Sequence, residues 1–332
     1  MVTGTAGVSA TDAAKSKPAP VRKSRSLWSD AMRRLRRNKM AMAGLVYIGF
    51  LAVVAIFAPM IAPHNPVRAE NIAEAGKYRK AAWIPDSNPL RAGDWSYPLG
   101  TDSIGRDVYS RLIFGTRISL IIGFIPMVFT LLIGVSVGLV AGFAGGWLDS
   151  VLMRISDVVY AFPSLLFFIV MQISFKDTAF GKLLNGLVLL FITLSIVNWT
   201  GVARLVRGQV LSLKEKEFVE AAHATGTSNL KIITRHLLPN TLSPIIVAGA
   251  FIVPGTIITE ATLSYLGIGI SPSSNPDNPF PASWGNMILD GSKAWQSQSW
   301  MLIAPCLAVA LLTMAFTFIG DGLRDALDPR DN

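Results

Sequence analysis

The sequence predicts an all-α integral membrane protein with about six transmembrane helices, and three observations lead to this fold class. Hydrophobic residues make up 51% of the 332 residues and charged residues only 15%, whereas soluble domains carry roughly 25% charged residues. The apolar residues form runs of about 18 or more, long enough to cross roughly 30 Å of hydrocarbon as a helix. A cluster of basic residues directly precedes the first of these runs.

The predicted spans divide the chain into membrane, inner and outer segments. A basic cytoplasmic tail covers residues 1–40, and the transmembrane core covers 118–320. Outer segments are predicted at 62–117 and 271–299, and further cytoplasmic ones at 204–240 and 321–332. The expected transmembrane helices are 41–61, 118–143, 151–173, 183–203, 242–266 and 300–319. The first is too long for a signal peptide, so we expect it to be retained.

Most of the net charge of +9 lies at the N-terminus, where residues 1–40 hold ten Lys or Arg against Asp12 and Asp30. Cations beside a first span keep it on the cytoplasmic side, which predicts cytoplasmic termini. Contact with anionic lipid is a second interpretation. Because the charge is placed beside a span, nucleic acid is not expected as a partner. Eight Lys or Arg between residues 64 and 117 oppose the charge rule, although six acids accompany them.

The remaining tail and the rarer residue types add little chemistry. Residues 1–26 have no periodic apolar face and are expected to be disordered. Cys306 is the single cysteine and lies in an apolar run, so a packing role is expected. The three histidines show no ligand spacing with acids or cysteines, and a metal site is not predicted.

Glycines and prolines mark the predicted spans. Gly134, Gly138 and Gly142 recur at every fourth residue, a spacing that lets a neighbouring helix approach closely. Prolines within apolar runs free backbone carbonyls that a neighbour or a water-lined cavity must satisfy. They lie at Pro126, Pro163, Pro254 and Pro305. Kinked helices of this kind suit a transporter but occur in membrane bundles generally.

The cytoplasmic segment from Ser212 to Asn240, here called the elbow, reads SLKEKEFVEAAHATGTSNLKIITRHLLPN. A first helix is predicted whose shared face holds Phe218, Ala221, Ala222 and Thr225. Gly226 is placed to end it, because a C-terminal cap needs positive φ. Thr227 or Ser228 can cap a second helix, which Pro239 is expected to end.

Three interpretations of the elbow compete on physical grounds. It could be a solvated loop with helices on the membrane surface, a DNA-binding helix-turn-helix, or a docking element for a soluble partner. The second would have to meet DNA at the membrane, since the segment is tied to spans at both ends.

At these residues the sequence resembles a known family. Glu220, Ala221 and Ala222, followed by Gly226 and then by Leu238 and Pro239, are similar to the EAA loop of binding-protein-dependent ATP-binding cassette (ABC) importers. In that family the loop forms a coupling helix in a groove of the ATPase subunit. His236 departs from the pattern, which often has Ile there.

Six further segments resemble the C-type permease of the oligopeptide and dipeptide importers, in the same order along the chain. They are LGTDSIGRDVYSR from Leu99, GTRISL from Gly115, SDVVYAFPSLL from Ser156, EATLSYLGIG from Glu260, PASWGNM from Pro281 and IGDGLRDALDPR from Ile319. The resemblance implies the type I ABC importer permease fold and a place in a bacterial inner membrane.

The resemblance also implies partners and a mechanical role. A second, related permease, two ATPase subunits and an external peptide-binding protein are expected, with ATP and Mg²⁺ bound by the ATPases. The chain has no G-x-x-x-x-G-K-[ST] phosphate loop and no cofactor of its own is expected. Relatives with this pattern carry dipeptides, longer peptides, glutathione or nickel chelates, and the sequence does not choose among them.

Single residues receive two interpretations each. Glu220 is expected to pair with a basic residue of the ATPase, or else to be an exposed glutamate beside Lys216. Glu260, costly inside a span, could face the substrate pathway or could bond between helices. Arg154 and Asp157, three residues apart, predict a local ion pair.

Two other functions stay open on residue evidence. A proton-coupled transporter also needs a kinked bundle, but it should carry several ionisable groups at mid-membrane and often an inverted repeat. The third candidate is a membrane-tethered helix-turn-helix regulator.

Overall fold

The computed structural model describes residues 27–68, 76–273, 275, 278 and 280–327. The expected disorder of residues 1–26 lies outside this part of the chain. Within it, regular structure consists of helices and one isolated bridge between Thr101 and Asp107. The α-helices are α1 Leu27–Arg37, α2 Lys39–Ile56, α3 Ala58–Ile61, α4 Val108–Ala144, α5 Gly146–Ala161, α6 Ser164–Phe175, α7 Leu187–Leu213, α8 Glu217–Ala224, α9 Asn229–Ile232, α10 Leu238–Tyr265, α11 Trp284–Ala294 and α12 Trp300–Leu327.

Five helical stretches in the described residues are long and apolar enough to cross a membrane, and a bent pair brings the number to six if it counts as one span. This agrees with the predicted all-α fold class. The bent pair is α5 and α6, which together cover the predicted span 151–173 and meet at 81°. The break lies at Pro163, one of the prolines noted in the sequence as a source of kinks, which forces Phe162 into an extended conformation with ψ at 129°.

Helix α4 begins ten residues before the predicted span 118–143. The Asp107 side chain accepts hydrogen bonds from the amides of Tyr109 and Ser110 and so caps the helix at its true start. At 37 residues α4 is roughly 55 Å long, more than the hydrocarbon requires. Its first turns therefore belong to the outer segment.

The glycine stripe of α4 lies against α7. A Cβ added at Gly134 would come 2.6 Å from the Cβ of Val202, and one at Gly142 would come 2.8 Å from that of Val210. At Gly138 it would lie 2.6 Å from the carbonyl oxygen of Ala203. Only a residue without a side chain permits this approach, so α4 and α7 are packed backbone to backbone.

Buried ion pairs hold the outer segment onto α11. Asp102 accepts hydrogen bonds from Arg106 and Arg111, each at 2.7 Å, and Arg111 also reaches Asp290 at 2.9 Å. Arg111 and Asp102 have side chains only 1% exposed. The motif that begins at Leu99 is thus tied to α11 at Asp290, three residues past the end of the motif that begins at Pro281.

The N-terminal helices pack on α12. Asn38 accepts hydrogen bonds from the amides of Met40 and Ala41 and starts α2 one residue after α1 ends. A Cβ at Gly44 would lie 2.6 Å from the Ala315 carbonyl oxygen, so α2 and α12 are in close contact. The expected packing role of Cys306 is not what the structure shows, because this residue of α12 is exposed.

Candidate functional site

The first half of the elbow is a short helix closed by a glycine turn. Helix α7 ends at Leu213, and α8 follows after three residues. Gly226 has φ of +73°, its amide donates to His223, and the Thr227 amide donates to Ala222. This is the Schellman pattern of a helix C-terminus, in which positive φ favours glycine. Gly226 therefore lies where the sequence predicted a helix cap.

The second half differs from the prediction at Pro239. Helix α9 continues through a π-helical turn, Ile233–Leu237, directly into α10, and Leu238 and Pro239 form the first turn of α10. Pro239 was expected to end the second helix. It does not, because in the π turn each amide bonds to the carbonyl five residues earlier, as the Leu238 amide does to Ile233. Pro239 then lies in the first turn of α10, where an amide would have no partner within the helix.

The two faces of α8 have different surroundings. Val219 and Ala222 are buried in an apolar cluster with Val210 of α7 and with Ile232 and Leu237. Glu220 and Ala221 are exposed, as is Gly226. Ala222 was expected to face a partner groove together with Ala221, but its small side chain instead packs the elbow against α7. The outward surface of the motif is formed by Glu220 and Ala221.

The Glu220 carboxylate takes part in none of the ion pairs found in the described residues. The alternative pairing with Lys216 is therefore not formed in this structure. The Glu220 amide bonds to the Lys216 carbonyl oxygen as part of the helix start. The acidic group is therefore presented outward on a fixed helix.

Ion pairs also fasten α7 to α5. Arg207 donates to both oxygens of Asp149 at 2.6 Å, a bidentate geometry that fixes orientation. Arg204 donates to Asp157 at 3.0 Å. The predicted pair of Arg154 with Asp157 was wrong, since Asp157 is turned toward α7. The helix that leads into the elbow is thus held by α4 on one side and α5 on another.

A furrow runs between α7 and α10 from the elbow into the span region. It consists of two cavities of about 660 and 440 Å³ that lie side by side and share Leu205, Ala248 and Phe251 in their walls. Polar side chains line both parts. They are Asp30, Arg34, Gln209, Asn240, Ser243 and Arg324 in the larger part, and Ser164, Asn198, Thr256 and Thr259 in the other.

Comparison with known proteins places this arrangement in a family. Residues 134–331 match the profile described as "Binding-protein-dependent transport system inner membrane component", and residues 26–78 match "N-terminal TM domain of oligopeptide transport permease C". The chain belongs to the first of these families. It is therefore a multi-pass inner membrane permease, and the resemblance drawn from the sequence motifs is confirmed.

Individual relatives cover nearly the whole permease. It is 40% identical over 310 residues to the "Oligopeptide transport system permease protein OppC" of Bacillus subtilis (strain 168), covering 93% of this chain and 92% of that one. It is 41% identical over 310 residues to the "Dipeptide transport system permease protein DppC" of the same organism, covering 93% and 88%. A solved structure of the MetNI methionine ABC transporter matches 65% of this chain and 96% of its own at 18% identity, with a TM-score of 0.48.

Glu260 lies in a helix contact of the permease rather than in the furrow wall. It is 2% exposed, and its Oε1 accepts a hydrogen bond from Ser264 at 2.7 Å. A Cβ added at Gly285, in the first turn of α11, would come 3.1 Å from the same oxygen. Because Ser264 belongs to the same helix, this hydrogen bond lies within α10, and Glu260 meets α11 through the close contact at Gly285. A role in substrate passage and a bond between helices both stay predictions.

The furrow residues were missed by sequence reasoning, although a signal was present. Polar or small residues recur along one face of α7 at Asn198, Gly201 and Gln209, spaced by three and eight. Helix periodicity places these positions on one stripe. Hydropathy alone hides such a stripe, because the intervening residues are strongly apolar.

Proposed function

We propose that this permease is one transmembrane subunit of an ATP-driven peptide importer, where its furrow forms half of the translocation path. The observation that carries the proposal is the elbow, which presents Glu220 and Ala221 outward from a base fixed to both furrow walls. The names of the relatives, oligopeptide and dipeptide permeases, favour peptides as cargo.

In this proposal the elbow docks on an ATPase subunit. Two ATPases bind ATP and Mg²⁺, because the sequence has no phosphate loop of its own. A second, related permease completes the path and an extracytoplasmic peptide-binding protein delivers the cargo. The chain itself performs no bond chemistry. Glu220 pairs with a basic residue of the ATPase, and Ala221 lets the helix lie close to its surface.

The structure supports a direct route from docking to transport. Helix α10 is continuous with the second half of the elbow, and α7 is joined to the first half through Val210, Val219 and Ala222. Both helices line the furrow. When the ATPases close on ATP, a displacement of the elbow would therefore move both walls, which is the change that alternating access requires.

The test is ATP-dependent peptide uptake by the complete complex reconstituted in vesicles. Glu220→Ala should leave the complex assembled less tightly and reduce both uptake and peptide-stimulated ATP hydrolysis. Glu215→Ala is the matched control, because it removes an equal charge from an exposed residue just before α8. Full uptake and normal coupling in Glu220→Ala would remove the docking assignment.

Topology needs a separate measurement, since the proposal requires a cytoplasmic elbow and cytoplasmic termini. A Cys306→Ser background provides a chain without cysteine. In it, Ala224→Cys places a thiol on an exposed elbow position. A membrane-impermeant maleimide should label this thiol only in inside-out vesicles. Labelling from the outer face would overturn the proposed orientation and, with it, the coupling role.

A further inference from the structure

Helix α1 has one face fixed to the end of α12. Ala31 and Leu35 are buried in a cluster with Ala41 and Ala326. A Cβ at Gly322 would come 3.1 Å from a Leu35 methyl carbon, which shows how closely α1 approaches this helix. The rotation of α1 about its own axis is therefore set by packing.

The opposite face of α1 is exposed and strongly basic. Ser29, Met32, Arg33, Arg36 and Arg37 are all exposed, and they line a shallow cavity of about 600 Å³. Their spacing puts them on one stripe of a helix. Within the described residues, no ion pair involves any of the three arginines. Three cations are thus held on one rigid face without a compensating acid.

This face lies next to the membrane surface. Arg37 is followed after one residue by α2, the first span, where Val46 and Phe50 are 68% and 58% exposed. These apolar side chains face lipid in a membrane protein. Six to eleven residues of helix separate them from Lys39 and Met40, or roughly 9–17 Å at 1.5 Å per residue. The basic stripe therefore lies at the level of lipid headgroups.

We propose that the stripe formed by Ser29, Met32, Arg33, Arg36 and Arg37 is a binding site for the phosphate headgroups of anionic phospholipids. Guanidinium groups bind phosphate oxygens in pairs, which suits them to a headgroup. Met32 offers an apolar contact for the upper part of an acyl chain. The site is independent of the peptide cargo and of ATPase docking, so it stands or falls separately from the proposed function.

The expected effect follows from charge. Each arginine near an anionic surface strengthens binding by about fivefold, so loss of all three should weaken it by roughly a hundredfold. A zwitterionic headgroup carries the same phosphate together with its own cation. Preference for phosphatidylglycerol over phosphatidylcholine should consequently depend on these three residues.

The experiment is native mass spectrometry of the full chain in detergent, titrated with short-chain phosphatidylglycerol or phosphatidylcholine. The triple variant R33Q/R36Q/R37Q should lose its preference for phosphatidylglycerol, whereas R33K/R36K/R37K should keep most of it and shows that the fold survives exchange at these sites. The matched control is R68Q/K77Q/R91Q, which removes the same charge from exposed residues of the outer segment and should bind phosphatidylglycerol as the parent does.

Three outcomes would overturn the proposal. The glutamine variant could bind phosphatidylglycerol like the parent. The control could lose as much binding as the α1 variant, which would mean that net charge alone matters. Inorganic phosphate at millimolar concentration could displace the lipid completely, which would make free phosphate the ligand instead.

Discussion

Replacing Gly226 by alanine tests how the elbow holds its shape. The residue has φ of +73°, and a Cβ added there would meet nothing within 4 Å. The substitution therefore causes no clash, and its whole cost is conformational. A residue with a Cβ in the left-handed region is disfavoured by about 1–2 kcal/mol. That energy raises the population of an opened turn by roughly 5- to 30-fold.

Hydrogen exchange reads this opening directly. The amides of Gly226 and Thr227 donate to His223 at 2.9 Å and to Ala222 at 3.1 Å, and both bonds break when the turn opens. Exchange at the Thr227 amide should accelerate by the same 5- to 30-fold in Gly226→Ala. Gly226→Asn should accelerate it less, because asparagine tolerates positive φ better than alanine.

The control is Gly208→Ala on α7. Gly208 is also exposed and a Cβ there also meets nothing within 4 Å, but its φ is not positive. In an ordinary helix this exchange should be neutral or stabilising by about 0.5–1 kcal/mol. If Gly226→Ala and Gly208→Ala gave the same exchange rates at the elbow amides, the argument from backbone conformation would be refuted.

Three other substitutions test packing and buried charge, each followed by thermal unfolding of the purified chain. Gly138→Leu should destabilise by about 1–3 kcal/mol through overpacking against α7, while Gly49→Leu, where a Cβ meets nothing within 4 Å, should be neutral. Arg111→Met should cost roughly 3 kcal/mol because it leaves the buried Asp102 carboxylate with Arg106 as its remaining ion-pair partner; an unchanged melting temperature would contradict this. Glu260→Ala should cost about 1–3 kcal/mol by leaving the buried Ser264 hydroxyl unpaired, whereas Glu260→Gln should keep the stability. In the uptake assay with the complete complex, Glu260→Gln should also keep the KM for peptide; a raised KM would support a role in substrate passage.

The transmembrane helices could be predicted well from the sequence because lipid imposes one simple requirement. A helix that crosses hydrocarbon must be apolar for about 20 residues, and the chain shows such runs clearly. Over 151–173 the apolar run predicts a span but not the direction in which the chain runs through it. Pro163 marks where the kink lies, but hydropathy gives no angle, so the 81° bend could not be read from the sequence.

The elbow was predictable in outline because its signals are local. Gly226 ends α8 through its own backbone preference, which a sequence displays directly. The burial of Ala222 and the place of Pro239 in a helix depend instead on structure beyond the local sequence. Ala222 is buried because α7 lies beside it, and Pro239 is accommodated because a π turn, Ile233–Leu237, ends two residues before it.

Ion pairs between different helices could not be predicted from the spacing of residues along the chain. Asp157 has Arg154 at helical spacing, yet it pairs with Arg204, 47 residues away. Spacing identifies neighbours on one helix, but a guanidinium on a packed neighbour can approach from the side. Asp149 and Arg207 are 58 residues apart and pair in the same way.

These distant pairs decide how force would pass through the molecule. A push on the elbow could be absorbed by bending α7 unless that helix is braced along its length. Gly138 brings α4 against one side of it, and the bidentate pair of Arg207 with Asp149 ties α5 to another. Because α7 is held at both contacts near its elbow end, local bending there would require breaking the ion pair or opening the glycine contact. If α4, α5 and α7 move together, neither the ion pair nor the glycine contact has to break. A displacement of the elbow should therefore reach the furrow at Leu205 and Asn198.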